Sequence, residues 1–324
     1  MKAITYSRFG GPEVLEVSEV PRPKVPPASV LIRVRAAGVN PVDWKIMAGA
    51  LDGIMESHFP VVPGWDVAGV VEAVGFDTPE FVPGDEVYSY GRLHTVGHGT
   101  FAEYVALPAG IVARKPAALS WEEAGGLPLT GLTALRSLDA LGLGGLDLGP
   151  TETLLIHNGA GGVGRAAIQL AVDRGARVIA TASPGNHARL RELGAEPVDY
   201  GGGLAERVRA LAPLGIDAVA DYAGGVLKET LAVLRPGGRH VSIADASVAD
   251  HGGHYIWVRP DARELDRLTA LADAGRLSVD ISATYPLERT ADAFRSGMAG
   301  HGGGKIVLTP FTTHNPTHST KENA

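Results

Sequence analysis

Up to about residue 119 the hydrophobic and polar positions alternate in short runs broken by Gly and Pro, as at residues 29–35, 66–72 and 102–106. Alternation with a period of two marks half-buried strands, so this portion predicts a β-rich sandwich or partly closed barrel. After Ser120 the period lengthens. Residues 121–141 carry helix-length apolar spacing, and strand-like and helix-like runs then take turns at 153–157, 164–174, 177–181, 187–193, 204–211, 217–221, 227–234 and 239–243. Strands separated by helices of about ten residues are βαβ units, because a parallel pair needs a crossover long enough to return to the same end of the sheet. The spacing therefore predicts a doubly wound parallel sheet with 255–258 as its last strand. An amphipathic helix over 261–276 follows, with Leu265, Leu268 and Ala272 on one side, then a helix over 288–298 and a strand at 305–309 that returns to the first domain. The expected class is α/β: a β-rich domain of residues 1–119 and 261–324, a parallel-sheet domain of 120–260 inserted in it, and a polar, flexible tail at 310–324.

Composition narrows the chemistry. The 324 residues include no Cys, which excludes disulfides, thiolate zinc sites, iron–sulfur clusters and a cysteine nucleophile. With 29 Lys+Arg against 36 Asp+Glu the net charge is −7, and without a basic run neither nucleic acid nor an anionic membrane is an expected partner. No signal-type apolar core and no stretch of about 18 apolar residues is present, so the expectation is a cytoplasmic protein. His94 and His98 stand among Gly91, Gly97 and Gly99, and His251 and His254 flank two glycines; both pairs read as loop histidines, and no metal is expected. Walker A and G-x-S-x-G spacings are absent.

The most informative segment is residues 153–171, TLLIHNGAGGVGRAAIQLA. Gly159, Gly161 and Gly164 stand in G-x-G-x-x-G order after a buried-strand run and before a helix. That setting provides a tight turn, close approach of backbone to a pyrophosphate, and close helix–strand packing, with the diphosphate at the positive helix N-terminus. A dinucleotide is the predicted cofactor. NAD sites place an acidic residue at the end of the second strand for the ribose 2′-hydroxyl. Here residues 177–187, RVIATASPGNH, contain none. A carboxylate would repel a 2′-phosphate, so the choice falls on NADPH, with Ser183 and Asn186 as hydrogen-bonding groups, His187 or Arg189 as positive charge, and Tyr200 at the end of the next strand. Ser183 to Asn186 also reads as a turn with an N-cap.

Short motifs run through nearly the whole chain: Phe9-Gly-Gly-Pro-Glu-Val-Leu15, Ala37-Gly-Val-Asn-Pro-Val-Asp-Trp-Lys45, Pro63-Gly-Trp-Asp-Val-Ala-Gly69, Pro83-Gly-Asp-Glu-Val87, Gly99-Thr-Phe-Ala-Glu-Tyr104, Pro128-Leu-Thr-Gly-Leu132, the glycine loop, Leu193-Gly-Ala195 and Gly304-Lys-Ile-Val-Leu308. In this order they resemble the zinc-free branch of the medium-chain dehydrogenase/reductase superfamily, the NADPH:quinone oxidoreductases and related enone reductases. The resemblance implies a GroES-like catalytic domain, an inserted Rossmann domain and an active site between them. Zinc-dependent members carry Gly-His-Glu near Gly64-Trp65-Asp66; with Trp65 in place of the histidine and no Cys, no Lewis acid remains to acidify an alcohol. Hydride then has to pass to an acceptor activated by its own conjugation, a quinone or an α,β-unsaturated carbonyl.

By motif match, the resemblance places Asn40 near the nicotinamide ribose, Thr130 close to the cofactor, and Lys45 in the cleft beside cofactor and substrate as the candidate catalytic residue. Gly161, Gly162 and Val163 form the pyrophosphate loop; Ser183, Asn186 and Tyr200 surround the adenosine phosphate; Ala223, Ile243 and Ala244 end later strands; Gly304 and Lys305 close over the cofactor. Asn40 before Pro41 also reads as a turn former, Asp43 as a helix cap, Lys45 as an exposed helix lysine and Tyr200 as core packing. Gly185 stands where relatives often have Lys or Arg, so either the 2′-phosphate is held less firmly or Arg189 is used instead. The alternatives are an enoyl reductase on a biosynthetic intermediate such as a polyketide, and a non-catalytic NADPH-binding protein. A homodimer is expected from the family, pairing edge strands near residues 255–258.

Overall fold

The computed structural model describes residues 1–142, 152–300 and 303–312; residues 313–324 of the expected tail lie outside them. Two large sheets organise the chain. The first has seven strands, ordered Ile281–Pro286, Lys305–Thr309, Ser29–Val39, Asp66–Val74, Glu86–Tyr90 and Val112–Arg114, with Tyr104–Pro108 also paired to Ser29–Val39. Antiparallel pairing joins most of them, and only Ile281–Pro286 and Lys305–Thr309 run parallel. The return of the C-terminal strand is direct: Ile306 pairs with Val39 and Leu308 with Ala37.

The second sheet has six strands, all parallel, ordered Ala195–Val198, Arg177–Thr181, Thr153–His157, Ile216–Asp221, Leu234–Ser242 and His254–Tyr255. The first βαβ half grows to one side of Thr153–His157 and the second to the other, so the strand order reverses there and opens a crevice at the carboxyl ends. Every residue of Thr153–His157 and Ile216–Asp221 is buried. Helices cover both faces, and this is why the middles of those strands, residues 154–156 and 218–220, are apolar.

Several boundaries differ from the expected ones, each for a physical reason. The helical stretch at 121–141 is two helices, Trp121–Gly126 and Pro128–Ala140, because Pro128 cannot donate to the preceding turn and starts a new one. The strand begun at Ser29 runs to Val39, passing Gly38, where a Cβ would lie 2.4 Å from the Gly125 carbonyl oxygen. Of 255–258 only Tyr255 joins the sheet, with His254. The helix with Leu265, Leu268 and Ala272 buried spans Ala262–Asp273, its first turn capped by Asp261. Ile281–Pro286 is an additional strand that the pattern does not announce.

Among the described residues, no helix is long and apolar enough to cross a membrane, and no group of three or more His, Asp or Glu side chains is arranged to hold a metal ion.

Candidate active site

The glycine loop folds as its spacing requires. Thr153–His157 ends at Asn158, whose φ of +58° turns the chain sharply, and Gly162–Asp173 begins with Gly161 as an N-cap that offers no side-chain acceptor. The amides of that first turn are therefore left for an anion. A Cβ on Gly164 would lie 2.2 Å from the Asn158 carbonyl oxygen, and one on Gly159 would lie 2.8 Å from the Ala180 Cβ; both glycines permit helix and strands to close up. Thr181 locks the neighbouring turn, accepting from the Asn158 amide at 3.0 Å through Oγ1 and from the Gly159 amide at 2.8 Å through its carbonyl.

Over this loop opens a cleft of about 1100 Å³, walled by Asn158, Gly161, Thr181 to Ser183, Asn186, Tyr200 to Glu206, Ala223 to Val226 and Gly303 among others. Its volume and its place at the carboxyl ends of the strands fit a dinucleotide. Ser183, Asn186, Tyr200, Gly161 and Ala223, each singled out from the sequence, share this cleft. Asn186 donates to the Ser183 hydroxyl at 3.1 Å. Arg189 points elsewhere: its guanidinium is paired with Asp280 at 2.7 Å. Asp280 also takes Arg165, whose Nη2 donates to Asn186 at 3.2 Å. The Ala223 and Ala244 amides are set by a relay from two buried side chains. Asp221 accepts from the Ala223 and Gly224 amides, and the Ser242 hydroxyl donates to Asp221 and accepts from the Ala244 and Asp245 amides. Ile243 follows Ser242, its amide donating to the Asp221 carbonyl at 3.1 Å.

A buried polar network joins this cleft to the first sheet. Lys305, 5% exposed, runs past the start of the glycine helix, where a Cβ on Gly162 would lie 2.9 Å from its Cδ and 3.1 Å from the Thr130 methyl. Its ammonium turns inward, donating to the Val39 carbonyl at 2.8 Å and to Asn40 Oδ1. Asn40 Nδ2 donates to Asp66 at 2.8 Å, and the other Asp66 oxygen accepts from the Leu129 amide at 2.8 Å. Asp43 accepts from the Asn40 amide at 2.7 Å, so it does close the helix Pro41–Met47 as a cap. The Thr130 hydroxyl is used locally, donating to the Gly126 carbonyl at the end of the preceding helix. Gly304, at φ +123°, sits where a Cβ would meet the Asp280 carbonyl at 2.6 Å. Val163 packs against the core, and Lys45 is exposed on the last turn of Pro41–Met47.

Two carboxyls and one ammonium thus share a buried site. Burial pushes Asp43 up to about 8, with Asp66 adding to the rise while the Asn40 amide and Lys305 oppose it. Burial likewise raises Asp66 to about 6 against the pull of Lys305, Asn40 and the Leu129 amide. Lys305 is lowered by its own burial, with both aspartates resisting. One excess negative charge is relieved by keeping a proton on Asp43 at neutral pH.

On the far side of Asp43 lies a narrow crevice lined by Tyr6, Ile46, residues 62–65, Gly91, Leu93 and residues 95–99. Trp65, buried on its floor, stands edge-on to Tyr90 with ring centroids 5.9 Å apart. Asn40 and Lys305 stand out in the sequence, whereas the bond that joins Asp66 to Asn40 does not. The one available sign was that Asp66 occupies the acidic position of Gly64-Trp65-Asp66.

Comparison with known proteins agrees with this architecture. Residues 26–117 match the alcohol dehydrogenase GroES-like domain family and residues 193–308 the zinc-binding dehydrogenase family. The chain is 36% identical over 321 residues to an NADPH-dependent alkenal/one oxidoreductase of Arabidopsis thaliana chloroplasts, covering 96% of this chain and 80% of that protein. The quinone oxidoreductase of Coxiella burnetii superposes with a TM-score of 0.81 at 32% identity, over 95% of this chain and 99% of that one. An NAD-dependent alcohol dehydrogenase superposes with a TM-score of 0.83 at 33% identity over the same shares. The chain belongs to the medium-chain dehydrogenase/reductase superfamily, in its quinone oxidoreductase and enone reductase branch.

Proposed function

We propose that this protein is an NADPH-dependent reductase that delivers hydride, without a metal, to a quinone or an α,β-unsaturated carbonyl. The observation that carries the reading is the buried path from Lys305, packed beside Gly162 of the glycine-loop helix, through Asn40 to Asp43, which lines a crevice with Trp65 instead of a metal-binding histidine. When bound, the dinucleotide supplies the hydride. The chain's own part is to hold it at the uncapped helix start and to fix Asn40 between Lys305 and Asp66 so that the hydride faces one acceptor position. No carboxylate side chain ends the strand Arg177–Thr181, and Ser183 and Asn186 offer donors at the cleft wall; both features favour a 2′-phosphate. The relative named as an NADPH-dependent alkenal/one oxidoreductase supports the acceptor class.

The test is loss of NADPH absorbance with a panel of quinones, alkenals and cyclic enones. Turnover of at least one acceptor is expected, and NADPH binding without consumption of any of them would refute the reading. We further infer a homodimer across the edge strand His254–Tyr255, beside which Trp257 is 47% exposed. Light scattering should give about twice the 33.7 kDa chain mass; a monomeric mass would exclude the pairing.

A further inference from the structure

The narrow crevice contains an unusual pair. Asp43 Oδ1 and the Tyr6 hydroxyl both lack any hydrogen-bond partner although both are sealed from solvent, and both residues line the same space. A third orphan, Thr100 Oγ1, lies against its wall, where a Cβ on Gly64 would come within 2.7 Å of it. Buried polar atoms without partners are rare and need a reason. The crevice has about 10 Å³ of room, close to what one water molecule needs, and such a water requires two to four polar neighbours.

We propose that Asp43 supplies the proton that completes the reduction, passing it through one water molecule held between Asp43 Oδ1 and the Tyr6 hydroxyl. This rests on the acceptor class proposed above. Hydride addition to the electrophilic carbon of an enone moves the π electron pair onto the carbonyl oxygen and leaves an enolate; a quinone leaves a hydroquinone anion. The acceptor is then reduced by two electrons, the hydride donor is oxidised, and one proton is still owed. The water gives its proton to the anion and takes the Asp43 proton as the carboxyl O–H bond breaks, and solvent restores that proton after product leaves. Asp43 suits the task because its other oxygen is occupied by the Asn40 amide, so the carboxyl is held in one orientation. The charged and titratable groups around it are Asp66, Lys305 acting through Asn40, Tyr6, Tyr90 with Arg92 beside it, and His98 on the crevice wall. Of these, Asp66 and Lys305 are the ones that bias its proton, in opposite directions.

Two measurements test this. In chain labelled with ¹³C at the Asp carboxyls, bound to NADPH without acceptor, one buried resonance should titrate near pH 8 and vanish in Asp43→Asn. In turnover, the parent should lose kcat as pH rises through the same range. Asp43→Asn, which keeps an acceptor for the Asn40 amide, should fall about 100-fold in kcat, lose that pH dependence, and keep its NADPH affinity. Tyr6→Phe should lower kcat while the Asp43 resonance remains. An Asp43 resonance that moves near pH 4, or an Asp43→Asn profile that tracks the parent's, overturns the proposal. The acceptor panel tests the reduction by itself, whereas the resonance is read with no acceptor present, so the two readings fail separately.

Discussion

Asp43 carries a consequence for stability as well as for chemistry. Its carboxyl titrates near 8 in the fold and near 4 in an unfolded chain. Between those values the folded state holds a proton that the unfolded state has shed. The stabilisation is therefore complete below about pH 4 and is lost as pH climbs through the folded value. Urea midpoints of the parent should fall from about pH 5 to about pH 8, and those of Asp43→Asn should fall less; parallel curves would mean that Asp43 is ionised in the fold. Gly164 is a second single-residue test. Its missing Cβ would stand 2.2 Å from a backbone carbonyl, which no rotamer can relieve, so Gly164→Ala should cost about 1–3 kcal/mol and weaken dinucleotide binding together. Lys45, exposed on its helix, offers the contrast, since the buried ammonium that reaches Asn40 belongs to Lys305.

At the scale of elements, Asp280 is the tie between the two sheets at the adenosine side. It precedes the strand Ile281–Pro286 and holds Arg165 of Gly162–Asp173 and Arg189 of His187–Glu192 at once. Burial would raise its carboxyl, but the two guanidiniums outweigh burial and hold it below the usual range. Asp280→Ala should cost about 2 kcal/mol near neutral pH, the range of a hydrogen-bonded charge, with the difference from the parent shrinking as acid protonates Asp280. An unchanged denaturation midpoint would show that water replaces the pair at no loss. The elements themselves were unequally legible. Fully buried parallel strands such as Thr153–His157 and Ile216–Asp221 stand out by their apolar middles, and the glycine spacing marks the helix that follows the first of them. Ile281–Pro286 does not, because none of its positions is buried and its pairing with Lys305–Thr309 depends on a distant segment. The same holds for the site. Gly161, Ser183 and Asn186 lie on consecutive βαβ turns and could be read locally. Lys305 and Asn40 are 265 residues apart, and no local pattern announces that they meet, nor that Asp43, legible as a cap, keeps one oxygen for a crevice.

For the whole molecule, the order of cofactor preference follows from which charges remain available once the fold is made. Arg189 is spent on Asp280 and Glu192, so the groups proposed to meet a 2′-phosphate beside the strand Arg177–Thr181 are the neutral Ser183 and Asn186, with Arg209 and Lys228 also on the cleft wall, and no carboxylate side chain ends that strand to repel it. Neutral hydrogen bonds discriminate less than a guanidinium clamp. The expected preference is therefore for NADPH, but by about tenfold, or about 1.4 kcal/mol, and not by several orders of magnitude. Because a ligand that binds only the folded chain raises its stability by its free energy of saturation, the difference is measurable without any acceptor. With each dinucleotide at the same concentration, well above both dissociation constants, NADPH should raise the unfolding temperature a few degrees further than NADH. Equal shifts would mean that Ser183 and Asn186 ignore the phosphate. Moving charge back should enlarge the gap: Gly185→Arg places a guanidinium between them at a position where a Cβ meets open space, and the NADPH shift should grow while the NADH shift stays where it was.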